Sequence, residues 1–176
     1  MVDTPRADAS EPRNQLPATS ERGHNSRTVF SLSDEETQEY GRALARGLTG
    51  GELVLLEGDL GLGKTVFARG VATGLGIPAE DVNSPSFTLV QEYGGGRLVM
   101  YHVDLYRIEG VEEIATLGIE DLLSSGAVTV VEWGERLPSY YTEDAIRIRL
   151  HDVSEGCRRI EISQPVRAEQ PRRGDA

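Results

Sequence analysis

The chain has 176 residues and a formal net charge of −11, with a sequence pI near 4.7. That length fits one domain with a sizeable core, and so acidic a body is poorly suited to hold a nucleic-acid backbone by itself, so any role on RNA is expected to run through a partner. A single cysteine, Cys157, excludes an internal disulfide framework and suits a reducing compartment. No apolar run approaches a membrane span and the N-terminus has no signal-peptide core, so a cytoplasmic protein with no membrane partner is expected.

Residues 1–27 are rich in Pro, Ser, Ala, Asp, Arg and Asn without an apolar period and read as a disordered tail. The folded domain is expected over 28–163, with a second short polar tail over 164–176. Thr28–Leu32 reads as a strand. Ser33, with Glu36 three residues on, makes a capping box that opens a helix. Tyr40, Leu44 and Leu48 share one face of that helix, and Gly50-Gly51 is expected to end it. Leu53–Leu56 is a short apolar run, as in a buried parallel strand. A second helix begins at Thr65, with Phe67, Val71 and Leu75 four residues apart; Gly74 and Gly76-Ile77-Pro78 are expected to stop it.

A polar loop, Asp81–Phe87, follows. Phe87–Tyr93 alternates as a strand, Gly94-Gly95-Gly96 turns the chain, and Arg97–Leu105 returns as the second arm of a hairpin. Val111–Leu123 is helical with an interruption at Gly118. Ala127–Val131 is a β-branched run, read as another buried strand. Ala145–Leu150 and Arg159–Ser163 alternate as two last strands, antiparallel. These elements predict a three-layer α/β domain: a mixed sheet with a parallel centre and an antiparallel hairpin insertion.

Between the second strand and the second helix lies Gly58-Asp59-Leu60-Gly61-Leu62-Gly63-Lys64-Thr65, which satisfies G-x-x-x-x-G-K-[ST] at every fixed position. Strand, loop and helix come in the order of a P-loop NTPase fold. Glycines let the backbone approach an anion, and the loop N–H groups with the helix N-terminus face phosphate with partial positive charge. Expected nucleotide contacts therefore run from Gly58 and Asp59 through Gly61, Leu62, Gly63, Lys64, Thr65 and Val66. Lys64, the only lysine in the chain, supplies a full charge to the β and γ phosphates, and the Thr65 hydroxyl is the expected magnesium ligand.

In α/β sheets the ligand sits at the carboxyl ends of the parallel strands. Two carboxylates fall there, Glu132 after Val128–Val131 and Asp104 at the end of the hairpin's return strand. Either could hold magnesium, directly or through water, and the other could orient the attacking water. Ser84, Ser86 and Thr88 lie where switch-type hydrolases place a hydroxyl that senses the γ-phosphate. On pattern alone Trp133 reads as core filling, His102 as structural, and Arg107 and Arg136 as surface arginines.

Four stretches together resemble the TsaE (also called YjeE) family, a bacterial ATPase family of tRNA threonylcarbamoyladenosine modification. They are the loop at 58–65, Ser84-Pro85-Ser86-Phe87-Thr88-Leu89-Val90, His102-Val103-Asp104-Leu105-Tyr106-Arg107, and Val131-Glu132-Trp133. The resemblance covers about residues 28–163. It implies ATP and Mg2+ as ligands, with Lys64 and Thr65 on phosphate and metal and Glu132 as the second magnesium-linked carboxylate. Asp104 would be needed for hydrolysis, Ser86 would stand at the switch position, and Trp133 would lie near the nucleotide. It also implies TsaD and TsaB as partners, with tRNA reached only through that complex. Leu62, Val66, Ser86 and Gly134 depart from the family's usual alanine, threonine, threonine and proline; Val66 thereby lacks a hydroxyl that could meet the α-phosphate. The alternative on this scaffold is a small-molecule kinase, which would need an acceptor pocket and usually a mobile arginine-bearing lid. The stretch 94–110 is short and strand-like for that. A non-catalytic nucleotide-binding module is a further rival.

Overall fold

The computed structural model describes residues 24–166. Most of the two expected tails lies outside those residues. Where they fall inside, all but Val166 is in strand: β1 spans His24–Ser31 and β7 spans Cys157–Pro165, paired antiparallel with His24 opposite Pro165.

Seven strands form one sheet in the order β1-β7-β6-β2-β5-β4-β3. β2 (Leu53–Glu57) lies at its centre, parallel to β5 (Val128–Glu132) on one side and to β6 (Ile146–Ser154) on the other. β4 (Met100–Asp104) extends the parallel set beyond β5, and β3 (Val90–Tyr93) pairs antiparallel with β4 at one edge. The mixed sheet with a parallel centre is thus as the pattern predicts. The hairpin's return strand is itself a member of the parallel set.

Both faces of the sheet are covered, which is why β2 reads as unbroken apolar sequence. Val54 and Leu56 point into one cluster with Phe67, Val71 and Leu75 of α2 (Lys64–Leu75) and Leu44 of α1 (Asp34–Ala45). Leu53 and Leu55 point into the other, with Ile114 of α3 (Val111–Thr116) and Ile119 of α4 (Ile119–Ser124). Gly118 separates α3 from α4 with φ at 65°. Among the described residues no helix is long and apolar enough to cross a membrane.

α1 opens as its sequence dictates. Ser33 Oγ accepts from the Glu36 N–H at 3.2 Å, and Glu36 reaches back to the Leu32 N–H at 2.7 Å. It closes at Ala45, well before Gly50-Gly51. Arg97, arriving from the β3–β4 connection, donates to the carbonyls of Ala45 and Leu48 (2.9 Å to the latter) and so satisfies this end of the helix. The strand expected from Phe87 is also shorter. Leu89 adopts φ 64° and its N–H turns back to the Pro85 carbonyl at 2.6 Å, so extended pairing starts only at Val90.

Gly74 does not stop α2. It lies inside the helix, and the left-handed cap is Gly76. Gly74, Gly70 and Gly41 serve instead to bring α1 and α2 into backbone contact. A Cβ on Gly70 would sit 2.1 Å from the Gln38 carbonyl oxygen, and one on Gly41 would sit 2.4 Å from the Phe67 carbonyl oxygen. Neither obstacle is a flexible side chain, so the helices themselves would have to part. Gly70→Ala is therefore expected to lower unfolding free energy by about 1–3 kcal/mol, measured by urea denaturation. Gly47→Ala, whose Cβ would meet only the Leu44 carbonyl oxygen at 3.7 Å, is expected to stay within about 0.5 kcal/mol of the wild type. Equal behaviour of the two variants would remove the close-crossing argument.

Candidate functional site

Three strand ends meet at one edge of the sheet. Leu56 is paired with Glu132, and Glu132 with Asp104, so the loop after β2 and the two carboxylates lie side by side. The loop can take its path only with glycine at key points. Gly58 has φ 130°, and a Cβ there would strike the Leu150 carbonyl oxygen at 2.4 Å. Gly63, with φ 92°, sits at the N-cap of α2.

The two main helices begin differently. α1 carries Asp34, Glu35 and Glu36 in its first turn and a serine cap; α2 has neither an acidic first turn nor a side-chain cap. The partial positive charge at the start of α2 is left for something else to meet, and an anion is what fits. Lys64 is the first residue of that helix and only 5 % exposed. Its Nζ donates to the Gly58 carbonyl at 2.6 Å and the Asp59 carbonyl at 2.7 Å, and lies 3.9 Å from the ring centre of Trp133. Burial pushes the ammonium pKa below its ordinary value, against the opposing pull of Glu132, Glu135, Asp104 and Asp59.

Next to Lys64, the Thr65 hydroxyl donates to Glu132 Oε1 at 2.7 Å. A hydroxyl and a carboxylate in contact are hard oxygen donors of the kind magnesium takes alongside phosphate oxygens, so the residues present fit that ion. Asp104 is engaged elsewhere. Its Oδ2 accepts from the Ser84 hydroxyl and from the Ser86 hydroxyl (2.6 Å for Ser86), and its Oδ1 accepts from the Tyr106 N–H at 2.8 Å. The loop carrying both serines is thereby tied to the end of β4. Thr88 is exposed and has no part in this network.

Trp133 is half-buried, so core filling describes it only in part. It takes φ 61°, a left-handed conformation unusual for an aromatic residue. Its indole packs on Tyr106 at 5.1 Å and under Lys64, forming one wall of the site. Arg136 does not reach toward the loop; it donates to the carbonyls of Leu105, Tyr106 (2.8 Å) and Ile108 and so fastens the segment after β4. Arg107 stacks 4.4 Å from the ring of Phe87, itself 85 % exposed. Asp59 contributes its carbonyl rather than its exposed carboxylate; Leu62 packs at the rim of the core, and Val66 lies beside Gly63.

Two contacts at the site escape the sequence reading. Arg158 of β7 brings its guanidinium to within 3.4 Å of where a Cβ on Gly63 would be, while paired to Asp34 at 2.7 Å. It comes from the other end of the chain, so no local pattern announces it. His102 of β4 is wholly buried and bonds to Glu132 at 2.9 Å. Only the β4–β5 register reveals that contact.

Strand, glycine loop and helix, with a threonine hydroxyl facing a carboxylate on the adjacent parallel strand, define the P-loop class of nucleotide-binding folds. A crystal structure of YdiB from Bacillus subtilis is similar to this chain, with a TM-score of 0.65 and 29% identity, covering 82% of this chain and 89% of that one. Residues 31–160 match the family model described as "Threonylcarbamoyl adenosine biosynthesis protein TsaE". The protein named tRNA threonylcarbamoyladenosine biosynthesis protein TsaE from Treponema pallidum is 39% identical over 133 residues, 76% of this chain and 97% of that protein. The protein of the same name from Nostoc sp. is 41% identical over 141 residues, 77% of this chain and 84% of that protein. The chain belongs to the TsaE family.

Lys64 offers a direct check on this geometry. As the only lysine, it is the only side-chain amine that trinitrobenzenesulfonate can label. Because its pKa is lowered, labelling across a pH series, followed by mass spectrometry of its peptide, is expected to reach half-maximum below the ordinary lysine value of about 10.4. A midpoint at or above that value would contradict the buried environment.

Proposed function

We propose that the protein is a magnesium-dependent ATPase that supports threonylcarbamoylation of tRNA adenosine as a nucleotide-driven switch on a TsaB–TsaD complex. The observation that carries this reading is the contact of Thr65 with Glu132 at 2.7 Å, next to a buried Lys64 at the start of an uncapped helix. The relatives' names supply the pathway. The acidic body fits a protein that reaches tRNA only through its partners.

Each residue then has a task. The backbone of Gly58–Lys64 and the start of α2 bind the β and γ phosphates. Lys64 leaves the Gly58 and Asp59 carbonyls for phosphate oxygens, exchanging neutral acceptors for charged ones. Thr65 and Glu132 would hold magnesium, which when bound neutralises charge on the phosphate oxygens. Asp104 orients the attacking water, and Ser84 and Ser86 couple its position to the loop that carries them. Trp133 bounds the site beside Lys64. Water attacks the γ-phosphorus in line and ADP leaves, without a covalent enzyme intermediate; catalysis is positioning and charge stabilisation.

ATP hydrolysis measured with magnesium, alone and with the TsaB–TsaD pair, tests the reading. Low basal turnover that rises with the pair and vanishes in Lys64→Ala is expected. Asp104→Asn is expected to reduce stimulated turnover by about 10²-fold or more. An unchanged stimulated rate in that variant would remove Asp104 from its role. No response to the pair, or phosphate transfer to a metabolite, would overturn the switch reading in favour of a kinase or a simple binding module.

A further inference from the structure

His102 lies in the middle of β4 with no solvent exposure. Its Nε2 is 2.9 Å from Glu132 Oε1, the same oxygen that accepts from the Thr65 hydroxyl at 2.7 Å. A carboxylate oxygen accepts in this contact, so Nε2 is the donor. Nδ1 is buried and has no hydrogen-bond partner among the described residues. A ring that buries an unpaired nitrogen is a poor choice if the need is only to fill core space. An apolar side chain would do that without the penalty. What the imidazole adds at this point is one N–H aimed at Glu132.

We propose that His102 is a positioning residue for the metal-linked carboxylate. Its Nε2–H holds Glu132 from the β4 side while Thr65 holds it from α2, so the carboxylate meets the ion in a preset orientation. Magnesium demands near-ideal octahedral geometry, and its affinity is therefore sensitive to how a carboxylate ligand is aimed. The inference rests on the proposed magnesium role of Thr65 and Glu132. It gives the first residue of the H-x-D-L-Y-R stretch a task distinct from that of Asp104: His102 acts on metal binding, Asp104 on hydrolysis.

The test is a binding experiment with no turnover. Binding of mant-ADP to the full chain is followed by energy transfer from Trp133, the only tryptophan, first in EDTA and then with increasing magnesium. His102→Phe removes the N–H while filling the space. His102→Gln keeps an N–H donor near the Nε2 position. His102→Phe is expected to raise the half-saturating magnesium concentration by about 10–100-fold, with mant-ADP affinity in EDTA unchanged. His102→Gln is expected to restore most of the magnesium response.

A His102→Phe midpoint matching the wild type overturns the proposal. So does a His102→Gln midpoint displaced as far as that of His102→Phe, since the ring would then matter for packing alone. A wild-type protein whose mant-ADP binding ignores magnesium overturns the reading of Thr65 and Glu132 themselves, and His102 with it. Should His102→Phe fail to fold, long-range 15N–1H correlation spectra of the wild type decide. The proton is expected on Nε2, with its signal moving as magnesium is added beside ADP. A proton on Nδ1, or an Nε2 signal indifferent to the metal, overturns the proposal.

Discussion

β2 and β5 run parallel in a register that sets Leu56 opposite Glu132, and β4 joins them so that Asp104 also faces Glu132. Shifting any of these strands by one residue would send its side chains to the opposite face. The contact between Thr65 and Glu132 exists only in this register, and so does the bond from His102. The register is enforced from both faces, because each of the central strands contributes alternate residues to two separate apolar clusters. The precision of the site is therefore inherited from core packing at the centre of the sheet, some distance from the loop itself.

The electrostatics point the same way as the geometry. Lys64 stands among Asp59, Asp104, Glu132 and Glu135, in a chain that is acidic overall. Arginines in the neighbourhood have structural partners: Arg136 the carbonyls after β4, Arg147 and Arg149 the carboxylate of Glu57, and Arg158 that of Asp34. An anion drawn to such a surface must be held by local dipoles, one lysine and a divalent cation rather than by a general positive field. On the proposed reading magnesium therefore strengthens nucleotide binding as well as serving hydrolysis.

Much of this was legible in the residues. The phosphate loop, the flanking strand and helix, and both carboxylates are local patterns whose meaning does not depend on the rest of the chain. The expectation that Gly74 stops α2 failed because a glycine's reason can lie across a helix crossing, and Gly70 and Gly41 share that reason. Phe87 and Leu89 alternate like strand residues, yet the turn closed on the Pro85 carbonyl prevails there. The bond of His102 to Glu132 could not be read locally, since its partner is 30 positions away. In each case the missing information was tertiary: which backbone, carbonyl or strand would lie opposite.

The strand order has a consequence for the birth of the protein. β2 emerges early in synthesis, but its two neighbours are β5 and β6, and the outermost strand β1 waits for β7. Until residue 154 has been made, the centre of the sheet has an open edge, and the loop above it has no wall against which Gly58 can pack. Such long-range closure makes folding slow and leaves apolar strands unpaired in the meantime. Closure of the nucleotide site thus waits for β6: a ribosome-bound fragment ending before it carries the whole G-x-x-x-x-G-K-T motif but lacks the strand on which Gly58 packs.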